Sequence, residues 1–367
     1  MIDTALIKES CLRRIADKVI NNEPVNGDDA LAMLSTNDIP GLGMIANHIR
    51  EKLNGNLTYY GMNINLNYTN ICELRCPLCA FSCDQGDSKG YVYSIDDVER
   101  IVREADSVGI DEVHIVGGLN PALKLDYFTA MIRKIKEINS RIFVVAFTAV
   151  EYDYFAKLNG LTLQDVFREL INAGLGAIPG GGAEIFADDK RSVISPKKIP
   201  AERWLEVMET AHSMGLTTNA TMLYNHIETH DDIVDHMNRI RTLQEKTGGF
   251  KTFVPLQFHD ENTEFKPGRA ASTGFDDIRI YATARIFLHN IPHIKGLWMY
   301  LGEKMACILQ DFGVDDIGGT YIRERVVHSA GAKTSDYGTE DFLKRMVQSA
   351  RREPVRAAAD YRRIENQ

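Results

Sequence analysis

Short apolar segments alternate with amphipathic segments from about residue 61 to about residue 320. The clearest unit begins with a strand predicted over 61–69, where side chains alternate between two faces. The next helix is predicted to start at Ser94, because Ser94 and Asp97 form the pattern of a helix N-cap, and to end at Gly109. Eight strands are predicted in this manner, over residues 61–69, 112–116, 141–147, 176–179, 217–223, 252–258, 294–299 and 314–317.

This alternation predicts an α/β fold with one large catalytic domain. Strands that alternate with helices are parallel and are connected by right-handed crossovers. Eight such units favour a closed (β/α)8 barrel of the TIM type over residues 55–320, and an open doubly wound sheet is the alternative. Residues 1–54 are predicted to form an N-terminal helical extension, and residues 321–367 a C-terminal helical extension that packs on the barrel.

The composition argues against a nucleic-acid or membrane partner. Hydrophobic residues make up 44% of the 367 residues, which is sufficient for a large core, and the net charge of -9 disfavours non-specific binding to nucleic acid. No apolar run approaches the roughly 18–20 residues of a membrane helix. The N-terminal segment has no apolar core of a signal peptide, so we expect a cytoplasmic protein whose six cysteines are reduced thiols or metal ligands.

Three of the cysteines, Cys72, Cys76 and Cys79, form a C-x3-C-x2-C pattern after the first predicted strand. Clustered thiols in a reducing compartment indicate a metal site. Zinc usually takes four protein ligands, and a 4Fe–4S cluster is normally held by four thiolates, so three thiolates would leave one iron open to an exogenous ligand. Cys83 follows closely, and a four-cysteine site in a non-catalytic iron–sulfur electron carrier is the remaining alternative.

This cysteine pattern, at this place in a barrel, resembles the signature of the radical S-adenosylmethionine (radical SAM) superfamily. The resemblance implies a 4Fe–4S cluster on Cys72, Cys76 and Cys79, with S-adenosylmethionine bound to the open iron. It also implies a reductant such as flavodoxin or ferredoxin, whose electron releases the 5′-deoxyadenosyl radical. Leu78 stands where the family usually has an aromatic residue beside the cofactor. A homodimer is one possible assembly of the chain.

Further segments resemble the cofactor contacts of that family. Gly117 and Gly118 end the second predicted strand, where the family's backbone meets the methionyl amino group, although Leu119 replaces the usual acid. Glu184 follows a run of glycines and is expected at the ribose hydroxyls, and segment 219–229 is expected to pack the adenine. The resemblance thus implies as cofactor-binding residues Leu78, Gly117, Gly118, Glu151, Glu184, Asn219, Thr221 and Tyr224.

Longer stretches resemble the branch of this superfamily that makes menaquinone by the futalosine route, and its relatives that build deazaflavin cofactors. These stretches are residues 117–121, 179–185, 219–224, 244–250 and 328–332. Segments 146–151 and 254–259 resemble the aminofutalosine synthases more than the cyclic dehypoxanthine futalosine synthases. The former use S-adenosylmethionine as a co-substrate: its adenosyl radical adds to the enol-ether double bond of 3-[(1-carboxyvinyl)oxy]benzoate, and rearrangement with loss of carbon dioxide gives 6-amino-6-deoxyfutalosine.

A substrate with two carboxylates needs cationic partners in a protein that is acidic as a whole. Arginine binds carboxylates in bidentate geometry, and Arg191 and Arg285 are the candidates. Asn65 and Asn67 share one face of the first predicted strand, and Gln257 lies near the rim where barrel active sites are found. We therefore expect these five residues to bind the substrate.

Three residues are candidates for catalysis. His259 follows the sixth predicted strand at the same rim as Gln257, and His226 and Glu228 lie in the loop after the fifth. A histidine can transfer protons near neutral pH, but a loop histidine with a purely structural hydrogen bond is the alternative for His226.

Overall fold

A computed structural model describes residues 2–268 and 270–364 of the chain. Its strands, in chain order, are β1 Leu57–Gly61, β2 Asn63–Leu66, β3 Glu112–Ile115, β4 Phe143–Ala146, β5 Ala177–Ile178, β6 Thr217–Tyr224, β7 Phe250–Gln257, β8 His293–Ile294, β9 Asp316–Gly319 and β10 Glu353–Arg356. Strands β2 to β8 form one sheet in sequential order, and all of their pairings are parallel. A second sheet has the order β10-β1-β9.

The second sheet closes the barrel between its first and last strands. Strand β9 pairs in parallel with β1, which leads through Met62 into β2. Isolated parallel bridges join Lys295 to Asp316, and Ile64 to Ile322. The predicted α/β barrel is therefore confirmed. Of the strand expected over 61–69, β2 covers residues 63–66, and β1 is a separate strand that ends at Gly61.

Helices cover the outside of this sheet. They are α1 Ser10–Ile20, α2 Gly27–Ser35, α3 Ile39–Asn54, α4 Ile95–Asp106, α5 Leu125–Ile138, α6 Ala149–Asn159, α7 Leu163–Ala173, α8 Asp188–Ile194, α9 Ala201–Ser213, α10 His230–Thr247, α11 Gly274–Phe287, α12 Trp298–Leu301, α13 Glu303–Ile308, α14 Val326–Ser329 and α15 Glu340–Ser349. The Ser94 hydroxyl accepts the Asp97 N–H at the start of α4, as its N-cap pattern predicts. Within the described ranges, no helix combines the length and apolar character needed to cross a bilayer.

The N-terminal helices are attached to the barrel through a buried arginine of α3. The Arg50 guanidinium donates to the carbonyl oxygens of Val314 and Leu57, at 3.0 Å and 2.6 Å, and is fully buried. Because a buried guanidinium needs several acceptors, these carbonyls hold α3 against the first and last strands of the barrel. Pro40 lies in the first turn of α3, where its missing N–H costs no hydrogen bond.

The C-terminal segment contains a strand as well as helices. Strand β10 pairs in parallel with β1, and the chain then turns beneath the barrel. The Tyr361 hydroxyl donates to the Asp316 carboxylate at 2.7 Å, and the Tyr361 ring stacks on His293 with 3.4 Å between ring centroids. The tail therefore closes the end of the barrel opposite the cysteine loop.

A buried histidine of α10 makes the stability of the fold sensitive to acid. His236 is fully buried against Phe186, its Nε2–H donates to the Thr221 carbonyl at 3.0 Å, and burial lowers its pKa to about 3. The unfolded chain binds this proton near pH 6.5, so the stabilisation is complete above that pH and decreases as the pH falls towards 3. Between pH 7 and pH 5, we expect the free energy of unfolding of the wild type to fall by about 2 kcal/mol more than that of His236→Gln.

Urea denaturation followed by circular dichroism, at equal iron content, measures this difference. The exposed His230→Gln variant is the matched control and should retain the pH dependence of the wild type. An equal loss of stability in His236→Gln and the wild type would show that His236 is not the responsible group.

Candidate active site

The cysteine loop follows β2 and is held by its own backbone. The Cys72 N–H donates to the Cys83 carbonyl at 3.1 Å, and the Cys79 N–H donates to the Cys76 carbonyl at 2.9 Å. Arg75 takes a φ of 46° between them, and its guanidinium donates to the Ser82 carbonyl. These contacts fold residues 72–83 back on themselves and bring the thiols of Cys72, Cys76 and Cys79 into one region.

The three predicted ligands share this region, and the fourth cysteine, Cys83, lies next to Cys72 through a backbone hydrogen bond. Burial raises the pKa of the Cys76 thiol to about 11, with Cys79 and Cys72 as charged neighbours. The Cys83 sulfur packs beside Gly90, where an added Cβ would lie 3.4 Å from it. Three soft thiol donors on one loop, beside an open cavity, fit a cluster with one free coordination position. No group of three or more His, Cys, Asp or Glu side chains suited to a single metal ion occurs within the described ranges.

The Gly117–Gly118 turn packs directly against the cysteine loop. The Gly118 N–H donates to the Thr69 carbonyl at 2.9 Å, and a Cβ on Gly118 would lie 2.1 Å from the Ile71 carbonyl oxygen. Since real Cβ atoms do not approach so closely, Gly118 is required for this contact. Gly118 thus lies beside Cys72, and neither Gly117 nor Gly118 lines the cavity, so their contact with the cofactor stays a prediction.

Glu151 supports this turn from behind. Its carboxylate accepts the Gly117 N–H at 3.1 Å, the Tyr68 hydroxyl at 2.8 Å and the Thr148 N–H at 2.7 Å. Burial raises the pKa of Glu151 to about 7. The structure therefore places Glu151 behind the loop and not in the cavity, so its contact with the cofactor would be indirect.

A cavity of about 330 Å³ lies inside the barrel, beside Cys79. Its walls are largely apolar, with Leu223, Val254 and Leu256 among them. Seven of the other predicted site residues line it: Asn65, Leu78, Glu184, Asn219, Thr221, Gln257 and His259. The alternation of side chains along β6 explains the positions of Asn219 and Thr221, because inward positions recur every second residue.

The glycine run after β5 brings Glu184 to the cavity. Gly180 has a φ of +82°, and an added Cβ there would lie 2.2 Å from the Asn219 carbonyl oxygen. Glu184 forms an ion pair with Lys198, a residue that the sequence analysis missed. Burial by itself favours the neutral form of both groups. The charge of the partner outweighs this effect, so that Lys198 lowers the pKa of Glu184 and Glu184 raises the pKa of Lys198.

Charged side chains also form the floor of the cavity. Lys295 follows β8 and lies 3.0 Å from the Asp316 carboxylate, and the His114 Nε2–H donates to Glu112 at 3.0 Å. Both Lys295 and His114 line the cavity. The alternation that identified Asn65 also predicts an inward His114, since Asn65 and His114 are register partners in β2 and β3.

A second cavity, of about 550 Å³, opens at the rim. Gln257 and His259 border both cavities, and the outer one extends to the loop at Ala270 and to Lys333. The His259 Nε2–H donates to the Tyr300 carbonyl at 3.0 Å. The outer cavity therefore provides an entrance from the rim to the barrel interior.

Four predicted site residues on or after the strands do not line the inner cavity. Tyr224 points outwards from β6, and its hydroxyl donates to Asp277 at 2.8 Å. Asn67 donates to the Val116 carbonyl at 3.2 Å, while its Oδ1 is buried without a partner among the described residues. Glu228 accepts the His226 N–H at 2.8 Å, and the His226 Nε2–H donates to the Leu223 carbonyl at 3.0 Å, so this pair holds the turn after β6. None of these four residues borders the inner cavity, and their direct contact with a ligand stays a prediction.

The two predicted arginines also lie away from the cavity. Arg191 is buried and donates to the Ile185 carbonyl at 3.1 Å and to the Ala183 carbonyl, which secures the glycine run. Arg285 is fully buried in α11, pairs with Asp315 at 2.9 Å and donates to the Gly313 carbonyl at 3.1 Å. Their donors are used in this way within the fold, and neither arginine lines the inner cavity.

Comparison with known proteins identifies the family. A model of the radical SAM superfamily matches residues 66–240, and one of the CofH/MqnC C-terminal region matches residues 247–366. The aminodeoxyfutalosine synthase of Thermus thermophilus is 40% identical over 361 residues, which are 98% of this chain and 97% of that protein. The chain belongs to the radical SAM superfamily. It is thus a radical SAM enzyme, as the cysteine pattern predicted, and the family implies a 4Fe–4S cluster and S-adenosylmethionine.

Other relatives of this radical SAM enzyme are named as transferases and not as aminodeoxyfutalosine synthases. The 5-amino-6-(D-ribitylamino)uracil–L-tyrosine 4-hydroxyphenyl transferase of Methanococcoides burtonii is 36% identical and covers 92% of this chain and 95% of its own. Among solved structures, methylornithine synthase (PylB) has a TM-score of 0.74 at 14% identity over 93% of this chain and 97% of its own. HydG, a maturase of the [FeFe]-hydrogenase, has a TM-score of 0.76 at 16% identity, and the match covers 98% of this chain and 79% of HydG. These two structures support the fold alone.

Proposed function

We propose that this radical SAM enzyme is an aminofutalosine synthase of menaquinone biosynthesis. It would join the 5′-deoxyadenosyl group of S-adenosylmethionine to 3-[(1-carboxyvinyl)oxy]benzoate, with rearrangement and loss of carbon dioxide, to give 6-amino-6-deoxyfutalosine. The observation that carries the proposal is the 40% identity with the Thermus thermophilus synthase over 98% of the chain. S-Adenosylmethionine is then a co-substrate, because its adenosyl group remains in the product.

The cysteine loop would hold the cluster on Cys72, Cys76 and Cys79. When bound, the cluster supplies the electron that cleaves S-adenosylmethionine, and a flavodoxin or ferredoxin is our expected donor. The Gly117–Gly118 backbone lies against the loop and suits the methionyl group, while Glu184 at the cavity wall suits the ribose hydroxyls. Asn219 and Thr221, on the inward face of β6, suit the adenine end of the same molecule.

The barrel interior suits a reaction that must exclude water. The apolar walls formed by Leu223, Val254 and Leu256 exclude water from the reacting groups. A cavity inside the barrel also holds the alkene close to the adenosyl carbon, so that addition becomes effectively intramolecular. His259, at the junction of the inner and outer cavities, is placed to receive or deliver a proton during the rearrangement.

A second candidate is the transfer of the tyrosine 4-hydroxyphenyl group to 5-amino-6-(D-ribitylamino)uracil. Relatives with this name are 35–37% identical to the chain, slightly below the Thermus synthase. The matching C-terminal family model leaves a cyclic dehypoxanthine futalosine synthase as a third candidate of the same branch. The substrate offered to the enzyme distinguishes all three.

Product analysis under anaerobic conditions tests the proposal. We expect the reconstituted protein with dithionite, S-adenosylmethionine and 3-[(1-carboxyvinyl)oxy]benzoate to give an adduct that contains the adenosyl group and has lost carbon dioxide. Mass spectrometry, with the label of [adenosyl-13C]S-adenosylmethionine, measures this product. Parallel reactions contain tyrosine with 5-amino-6-(D-ribitylamino)uracil, or dehypoxanthine futalosine. The proposed substrate is wrong if the benzoate gives only free 5′-deoxyadenosine and one of the parallel reactions gives a new product. The substrate of that parallel reaction would then take its place.

A further inference from the structure

The floor of the barrel cavity presents one ammonium group to the interior. Lys295 and Tyr321 line the inner cavity and also border a small void of about 10 Å³ beneath it. Below this void lie residues 357–359 and Tyr361 of the C-terminal tail. Lys295 is therefore the cation at the deep end of the cavity, with the tail closing the barrel under it.

Lys295 is held in place by a carboxylate that serves several donors. Asp316 lies 3.0 Å from the Lys295 ammonium, and it also accepts the Tyr361 hydroxyl and the Gly318 N–H, both at 2.7 Å. Within residues 2–268 and 270–364, Asp316 is the one acceptor that the ammonium contacts. The ammonium also faces the Tyr361 ring, 5.9 Å from the ring centroid. Asp316 accepts from one of its three N–H groups, which leaves N–H groups for a ligand in the cavity.

The surroundings of Lys295 keep it charged. Burial by itself lowers the pKa of Lys295, but Asp316 and Glu112 outweigh that effect and raise the pKa. The other lysine of the cavity, Lys198, forms an ion pair with Glu184 near Cys79. No arginine within the described residues lines this cavity. An anionic group at the deep end therefore has Lys295 as its strongest partner.

The chemistry of the proposed substrate sets its orientation. The adenosyl radical adds to the alkene, so the alkene must lie at the cysteine end of the cavity, near Cys79. The benzoate carboxylate is at the opposite end of the molecule, across the aromatic ring, and points away from the cluster. In a cavity bounded by Cys79 and Lys295, that carboxylate is directed to the floor.

We propose that Lys295 binds the benzoate carboxylate of the substrate and so determines specificity for an aryl acid. The proposal rests on the proposed function and extends it to the substrate-binding end of the site. Asp316 is a positioning residue in this arrangement, because it acts on the ligand through Lys295. His114, beside Asn65 in the register of β2 and β3, completes the polar floor.

The test compares the acid with its benzoate methyl ester, in wild type, Lys295→Met and Lys295→Arg. Calorimetry of the cluster-loaded protein with S-adenosylmethionine, without reductant, measures both affinities. We expect Lys295→Met to bind the acid about 30-fold more weakly and the ester with unchanged affinity, since a buried charge loses its partner only with the acid. Lys295→Arg should recover part of the affinity for the acid. Lys304→Met, the same change on an exposed lysine, is the matched control.

The readouts separate this proposal from the proposed function. If the wild type binds the acid but Lys295→Met shows the same ratio of acid to ester affinity, the assignment of Lys295 is overturned and the synthase remains. If the wild type does not bind the acid and binds tyrosine instead, the proposed function is overturned, and the role of Lys295 falls with it. Should Lys295→Met not fold, the wild type and Lys295→Arg still decide: equal affinity of the wild type for acid and ester contradicts the proposal.

Discussion

We expect Cys76→Ala to lose S-adenosylmethionine cleavage entirely, with 5′-deoxyadenosine at the level of a reaction without protein. Cys76 is the middle ligand of the loop, and its thiol is buried beside Cys72 and Cys79. A cluster that retains two protein thiolates has two irons without a protein ligand. Iron content, the absorbance of the cluster and 5′-deoxyadenosine measured by chromatography all report the change.

Cys83→Ala is the matched control for this prediction. Cys83 is buried as well, but its sulfur packs beside Gly90, and its backbone carbonyl, which survives the substitution, accepts the Cys72 N–H. We expect Cys83→Ala to keep its iron and its 5′-deoxyadenosine formation. Loss of the cluster in Cys83→Ala and its retention in Cys76→Ala would exclude the three-ligand site and favour a different set of thiolates.

We expect Gly118→Ala to reduce 5′-deoxyadenosine formation about a hundredfold, because a displaced cysteine loop misplaces the reacting groups. The added Cβ would lie 2.1 Å from the Ile71 carbonyl oxygen and 3.0 Å from the Cys72 Cβ. The first of these contacts is with backbone, which cannot turn aside as a side chain can. Either the Gly117–Gly118 turn or the loop that carries Cys72 must move.

Gly27→Ala provides the comparison for this glycine. Gly27 begins α2 in the N-terminal extension, and a Cβ there would make an ordinary contact of 3.5 Å with Val234. Its activity and iron content should match those of the wild type. A Gly118→Ala protein with normal activity would mean that the turn relaxes without disturbing the cysteines, and would remove the argument for close packing at this position.

Several residues that resemble site residues in sequence turn out to support the site. Arg191 secures the glycine run through backbone carbonyls, and Glu151 secures the Gly117 turn. His226 and Glu228 hold the turn after β6. Barrel loops need such supports because a reactive site must be held within a fraction of an ångström by groups that do not themselves touch the ligand.

The sequence alone determined those features that depend on short-range spacing. The C-x3-C-x2-C pattern lies within eight residues, so one loop brings the thiols together whatever the rest of the chain does. The repeated units predicted the parallel barrel, since each strand and its helix form locally. Alternation along β6 placed Asn219 and Thr221 inside, and the same rule places Tyr224 outside, although the family resemblance suggested a cofactor contact for it.

Only the tertiary structure decided which charged side chains reach the cavity. An arginine and a lysine look alike in sequence, but Arg285 is directed into the contact between α11 and the last strands, whereas Lys295 is directed into the barrel. The floor joins Lys295, Asp316 and Tyr361, which are separated by tens of residues and meet only when β9 and the tail close the barrel. The contacts among these three residues form only when their side chains are buried together by distant parts of the chain, and local spacing in the sequence does not encode that burial.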